Sequence, residues 1–163
     1  MLRSEISSFD QFGFSIDNIN QCCIELGCLF FIRLHPANYL SNQLKSLVNE
    51  LSNIYIDETE DVYEHLSEYK LMITDFSSIF FDGLALDVPS YLSLSGSDDY
   101  IKNERQLYVN PYDVFDSYIL KDWNSLKQLI SNASVIDKDL SYYYDNSTVN
   151  ICDNLVSKIN EII

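Results

Sequence analysis

The sequence predicts an α/β domain: a doubly wound, Rossmann-like parallel sheet with helices on both faces. Three observations lead there. Short apolar runs alternate with segments whose apolar residues recur at helical spacing, the pattern of βαβ units. The 163 residues suit one domain with a real core, and 47% of them are hydrophobic. No internal repeat, Pro-rich linker or low-complexity tract divides the chain, so residues 1–163 read as a single domain.

The elements follow in order. "FSIDNINQCCIELG" sets Ile16, Ile19, Cys23 and Leu26 on one helical face and stops at Gly27, a natural C-terminal cap. "CLFFIRL" reads as a short buried strand. "YLSNQLKSLVNELSN" places Leu40, Leu44, Leu47 and Leu51 on a second helical face, and "IYI" is the next strand. "ETEDVYEHLSEY" reads as a short helix with Val62, Leu66 and Tyr69 inward. "KLMITD", "SSIFFDGLAL" and "PSYLSL" give a strand, a helix and a strand. Residues 95–116 are polar and Tyr-rich and match no element. "WNSLKQLISNA" is helical again, and "STVNICDNLVSKINEII" aligns Ile151, Leu155, Ile159 and Ile162 on a closing stripe.

Composition narrows the function. The net charge is −15, from 25 acidic residues against 10 Lys plus Arg, and no basic patch appears, which argues against nucleic acid as a partner. Cys22, Cys23, Cys28 and Cys152 lack zinc-ligand spacing with His35 and His65, so they read as reduced thiols of a cytoplasmic protein, and no metal site is expected. The first residues, "MLRSEISSFD", are too polar for a signal peptide, and the longest apolar run, "CLFFI", is too short to span a bilayer. Asn146-Ser147-Thr148 matches a glycosylation sequon but reads better as a helix cap. His65, beside Glu64 and Glu68, reads as a solvated surface residue.

Ligands of doubly wound sheets bind beyond the carboxyl ends of the strands, and two polar motifs sit there: "RLHP" and "TDFSS". Arg33 and His35 are two apart, so on a strand both point to one face, and Pro36 turns the chain outward. His35 suits proton transfer or a hydrogen bond to phosphate, and equally a strand end satisfied by backbone. Asp75, Ser77 and Ser78 suit a helix cap. The same helix mouth suits a phosphate, with Asp82 one turn from Ser78. No glycine-rich dinucleotide fingerprint and no Walker lysine is present. A phosphate approaching so acidic a chain needs a cation within roughly a Debye length, about 8 Å at physiological salt. Arg33, His35 and Arg105 are the candidates.

The block "DVYEHLSEYKLMITDFSSIFFDGLALDVPSYL" resembles the hallmark of the CDP-glycerol glycerophosphotransferases, the teichoic-acid and capsule polymerases. Their pattern runs acidic-aromatic-x-x-Leu, Leu-Ile-Thr-Asp-Tyr-Ser-Ser, two variable residues, Phe-Asp, then Asp-x-Pro before a strand. "FFIRLHPAN" resembles their Arg-x-His-Pro strand end, "YIKNERQLYVN" a later Tyr…Arg-Gly-Leu/Phe-Tyr segment, and "MLRS" the end of a Pro-Thr-Trp/Phe-Arg segment. Phe76 stands where Tyr is usual, Gln106 where Gly is usual, and "DSY" at 116–118 replaces Pro-Gly.

The resemblance implies the C-terminal, nucleotide-binding half of a GT-B enzyme, with the first Rossmann-like half absent from these residues. It implies a CDP-glycerol or similar CDP-polyol donor, a polymer or lipid-linked acceptor at the inner face of the membrane, and release of CMP without a cofactor. On the matching positions, Ser77 and Ser78 would hold the pyrophosphate, His35 would act in catalysis, and Arg33, Asp75, Asp82 and Arg105 would bind substrate. The competing readings are half of a sugar-nucleotide GT-B glycosyltransferase and a truncated, non-catalytic nucleotide-binding domain.

Overall fold

The computed structural model describes residues 12–34, 42–94 and 110–134. Among them the architecture is mixed α/β. Helix α1 (Ile16–Leu26), strand β1 (Phe30–Ile32), α2 (Asn42–Asn49) and β2 (Ile54–Ile56) come first. Two 3-10 turns follow, Val62–Glu64 and Leu66–Glu68, before β3 (Met72–Thr74), α3 (Ile79–Ala85) and β4 (Ser90–Leu92). A short helix α4 (Pro111–Val114), 3-10 turns at Asp116–Tyr118 and Trp123–Ser125, and α5 (Leu126–Ser131) complete the order.

Each pair of strands flanks one helix and pairs in parallel, β1 with β2 and β3 with β4. These are the βαβ units that the alternation predicts. Among the described residues the pairs form two separate two-stranded sheets, not one continuous ladder. Each strand has three residues, and the units meet through side chains: Phe31 lies 6.2 Å from Tyr69, and Ile73 of β3 packs on the core beside β1. A parallel bridge from Leu92 to Ile119 extends the second sheet.

Local chemistry explains most boundaries. Ser15 caps α1, its hydroxyl accepting from the Asn18 N–H at 3.3 Å. Gly27 closes it at φ 63°, with the Cys28 N–H on the Cys23 carbonyl and the Gly27 N–H on the Ile24 carbonyl. That double bond pattern needs a left-handed residue, which glycine supplies without a Cβ penalty. The same pattern ends α3, where Asp87 takes the left-handed position at φ 58° and the Val88 N–H bonds the Gly83 carbonyl. Asn53 ties β2 to α1: its side-chain amide donates to the Cys28 carbonyl at 2.8 Å, and its N–H donates to the Asn20 side chain.

The core has two centres. Around Trp123 the inner faces of α1, β1, β2 and α5 bury Ile19, Cys23, Ile32, Ile54 and Ile130, with the Phe14 ring edge-on to the indole at 5.1 Å. Around Phe80, α3 and β4 bury Leu84, Leu92 and Leu94 against Phe115 and Tyr118. Both aromatic clusters favour edge-to-face rings, the arrangement preferred by the ring quadrupole.

Two sequence expectations are corrected. In α2 Val48 is buried and Leu47 is 38% exposed, while Leu51, just past the helix, packs against the first core cluster as expected. The helix ends at Asn49, so the stripe drawn through Leu47 to Leu51 runs past its last turn and a neighbouring face meets β2. The segment with Val62, Leu66 and Tyr69 forms two 3-10 turns instead of a helix; Leu66 alone is fully buried, and His65 is exposed beside Glu68. Leu40, Asn146-Ser147-Thr148, Cys152 and the closing stripe lie outside the described residues.

Candidate functional site

The carboxyl ends of the strands carry polar residues, as the alternation predicts. Arg33 follows β1, Asp57 follows β2, Asp75 follows β3 and Ser93 follows β4. His35 and Arg105 lie outside the described residues.

Arg33 is held within the protein. Its Nη1 donates to Asp57 Oδ2 at 2.9 Å and to Thr59 Oγ1 at 2.8 Å, and its Nη2 donates to the Glu60 carbonyl at 3.4 Å. Asp57 is the buried partner, with 5% of its side chain exposed against 30% for Arg33. Burial pushes the Asp57 carboxyl up, but the N–H and hydroxyl of Thr59 and the guanidinium outweigh it, leaving the group below its ordinary value. Three of the five guanidinium donors are used in these bonds, so a ligand contact by Arg33 would use its remaining N–H groups.

The segment that Arg33 latches, residues 57–61, leads to Tyr63, which sequence reasoning passed over. The Asp61 side chain caps the turn by accepting from the Tyr63 N–H at 2.8 Å. The exposed Tyr63 phenol donates to Asp82 Oδ2 at 2.9 Å, in the first turn of α3. That hydrogen bond, then burial, raises the Tyr63 hydroxyl above its usual range. The segment after β2 is thus fastened at both ends, to Arg33 and to the helix after β3. This joins the ends of β1 and β2 to the first turn of α3. The signal in the sequence was the acidic-aromatic start of the hallmark block, Asp61 to Tyr63.

Ser77 and Ser78 sit exposed at the opening of α3. Ser78 is the capping residue by position, yet its hydroxyl makes no cap bond, and the Ser77 hydroxyl accepts from the Ile79 N–H at a long 3.4 Å. Neither hydroxyl is strongly engaged by capping. Asp75, half-buried, links β3 to this opening, and Phe76 packs against the second core cluster, a role that needs no phenol. A close approach fixes the rest of the helix: a Cβ on Gly83 would overlap Ser90 Oγ and come within 2.6 Å of Met72 Cε. Glycine at this position lets α3 lie directly on β3 and β4.

Arg33 and Asp82 are therefore joined through one segment, and Asp75, Ser77, Ser78 and Asp82 share the opening of α3; no described contact joins Arg33 to the serines. Among the described residues no group of three or more His, Cys, Asp or Glu is placed to hold a metal ion. No described helix is long and apolar enough to cross a membrane.

No curated protein and no solved structure matches the chain. A family model described as CDP-Glycerol:Poly(glycerophosphate) glycerophosphotransferase matches residues 3–153. That span includes all of the strand ends and the hallmark block, and on it the chain belongs to the CDP-glycerol:poly(glycerophosphate) glycerophosphotransferase family.

Proposed function

We propose that this chain is the nucleotide-binding half of a polyol-phosphate transferase with GT-B architecture, in which the βαβ units belong to one doubly wound sheet. The donor is CDP-glycerol or a similar CDP-polyol. An acceptor hydroxyl on a teichoic-acid or capsular polymer, held at the inner face of the membrane, attacks the polyol-bearing phosphorus, and CMP leaves. A second Rossmann-like half supplies the acceptor side of the cleft.

The observation that carries this reading, beyond family membership, is the weak capping engagement of Ser77 and Ser78. Two exposed hydroxyls at the opening of α3, only one of which accepts a cap bond and that a long one, are available to phosphate oxygens. Transfer of this kind depends on positioning and charge stabilisation, which hydroxyls, a helix opening and nearby cations supply. Asp75 and Asp82 border the phosphate site, Arg33 contributes its remaining donors, and His35 and Arg105 complete it as proton-transfer group and cation.

The test is the Ser77→Ala/Ser78→Ala double variant. Because neither hydroxyl caps strongly, it should cost less than about 0.5 kcal/mol of stability, below the usual range for a lost cap. CDP binding should weaken well beyond cytidine binding, and CMP release from CDP-glycerol, assayed with a lipid-linked acceptor and the second half added, should fall. Equal weakening for CDP and cytidine, or none for either, refutes the phosphate role. A preference for UDP or GDP over CDP points to a sugar-nucleotide transferase instead.

A further inference from the structure

Strand β4 contains a buried serine that the fold satisfies, and a second lies just past its end without a partner. Ser90, 2% exposed, donates its hydroxyl to the Val88 carbonyl at 2.8 Å and faces α3 at Gly83. Ser93 is 4% exposed, and its Oγ has no hydrogen-bond partner among the described residues. Buried hydroxyls are nearly always paired, and an orphan costs more than a hydroxyl left in water. Such a group calls for an explanation, and a bound ligand is one.

Its location says what. Side chains alternate along a strand, so Ser93 shares a face with Tyr91, opposite the α3 side that Ser90 meets. The Ser93 N–H bonds the Thr74 carbonyl at 2.8 Å, continuing the β3–β4 ladder by one residue. Ser93 thus lies just past the carboxyl end of β4, as Asp75 lies just past that of β3. Ser93 is buried and its hydroxyl meets no cation among the described residues, so it is a poor seat for an anion. It suits a neutral group that both donates and accepts a hydrogen bond.

We infer that Ser93 Oγ hydrogen-bonds the nucleoside part of the bound nucleotide, a ribose hydroxyl or a base edge, and not its phosphates. The inference rests on the nucleotide-binding reading above and adds a specificity-determining residue to it. Ser93 and the α3 serines divide the ligand: the buried edge takes the neutral end and the exposed helix opening the charged one.

The full chain, 15N-labelled, is titrated with cytidine, CDP and inorganic pyrophosphate and followed by NMR, with Ser93→Ala and Ser93→Cys compared to the wild type. Cysteine keeps nearly the volume but is a weak hydrogen-bonder. Both variants should raise Kd for cytidine and for CDP in parallel, about five- to tenfold, the effect of one hydrogen bond lost from a desolvated site. Pyrophosphate binding should not change, and Tm should stay level or rise, since the alanine variant removes an unsatisfied buried group. Unchanged cytidine and CDP affinity overturns the inference, with the hydroxyl then satisfied by buried water. A drop in Tm of several degrees also overturns it, because the serine is then structural. A wild-type chain that binds pyrophosphate but neither cytidine nor CDP overturns it too. If the wild type binds none of the three, the nucleotide-binding reading fails as well, which separates that failure from the failure of Ser93 alone.

Discussion

Removing Asp57 should loosen the segment that joins the two βαβ units, and the loss follows from its contacts. Asp57 Oδ2 takes the Arg33 Nη1 at 2.9 Å, while Oδ1 takes the Thr59 N–H at 3.0 Å and the Thr59 hydroxyl at 2.7 Å. Alanine deletes all three bonds and leaves the guanidinium with the neutral oxygens of Thr59 and the Glu60 carbonyl. Deleting one partner of a fully buried pair costs about 3–5 kcal/mol, whereas exposed pairs contribute about 0–1 kcal/mol. With the acid buried and the arginine nearly one-third exposed, Asp57→Ala should cost about 2–3 kcal/mol. For a domain of this size that lowers Tm by roughly 5–10 °C. Urea denaturation of Asp57→Ala, Arg33→Ala and the double variant closes a mutant cycle, and the coupling should reach about 1 kcal/mol. Acid adds a second arm. The folded carboxyl titrates below its unfolded value, so the stabilisation is complete above the unfolded carboxylate range, about pH 4, and disappears as pH falls through the folded value. Asp57→Asn should flatten that acid limb. Additive single variants, or an acid limb unchanged by the asparagine, would refute the reasoning.

Two further outcomes test the frame around the site. Gly83→Ala should destabilise by about 1–2 kcal/mol in urea, because overlap with Ser90 and Met72 outweighs the roughly 1 kcal/mol that alanine gains in a helix; a stabilised variant would mean that α3 stands off the strands. Tyr63→Phe should cost only about 0.5–1 kcal/mol, the net value of one solvent-accessible hydrogen bond. Asp82→Asn should return the Tyr63 hydroxyl toward its ordinary titration, read as the ultraviolet difference from a Tyr63→Phe background; no change would mean that the 2.9 Å bond is not formed in solution.

The sequence by itself determined what is local. The Ser15-to-Gly27 helix, the order of β1 to β4 and the glycine stop of α1 are legible because caps, left-handed positions and apolar period act within a few residues. The hallmark block carried the family for the same reason, being a continuous run of side chains at one strand end and helix opening. Tertiary structure alone decided the pairings across distance. Arg33 was read as a free cation for a ligand, but it meets Asp57, 24 residues away, a partner no spacing rule singles out. Tyr63 reaches Asp82 across 19 residues, and Val48 displaces Leu47 from the core because the rotation of a two-turn helix is set by the strand it meets. Ser90 and Ser93 are both serines on one short segment, and nothing in their neighbours' identities separates them. Only the packing of α3 on one face of β4 shows that the first hydroxyl is satisfied and the second is not, since satisfaction of a buried group depends on what lies opposite it in space.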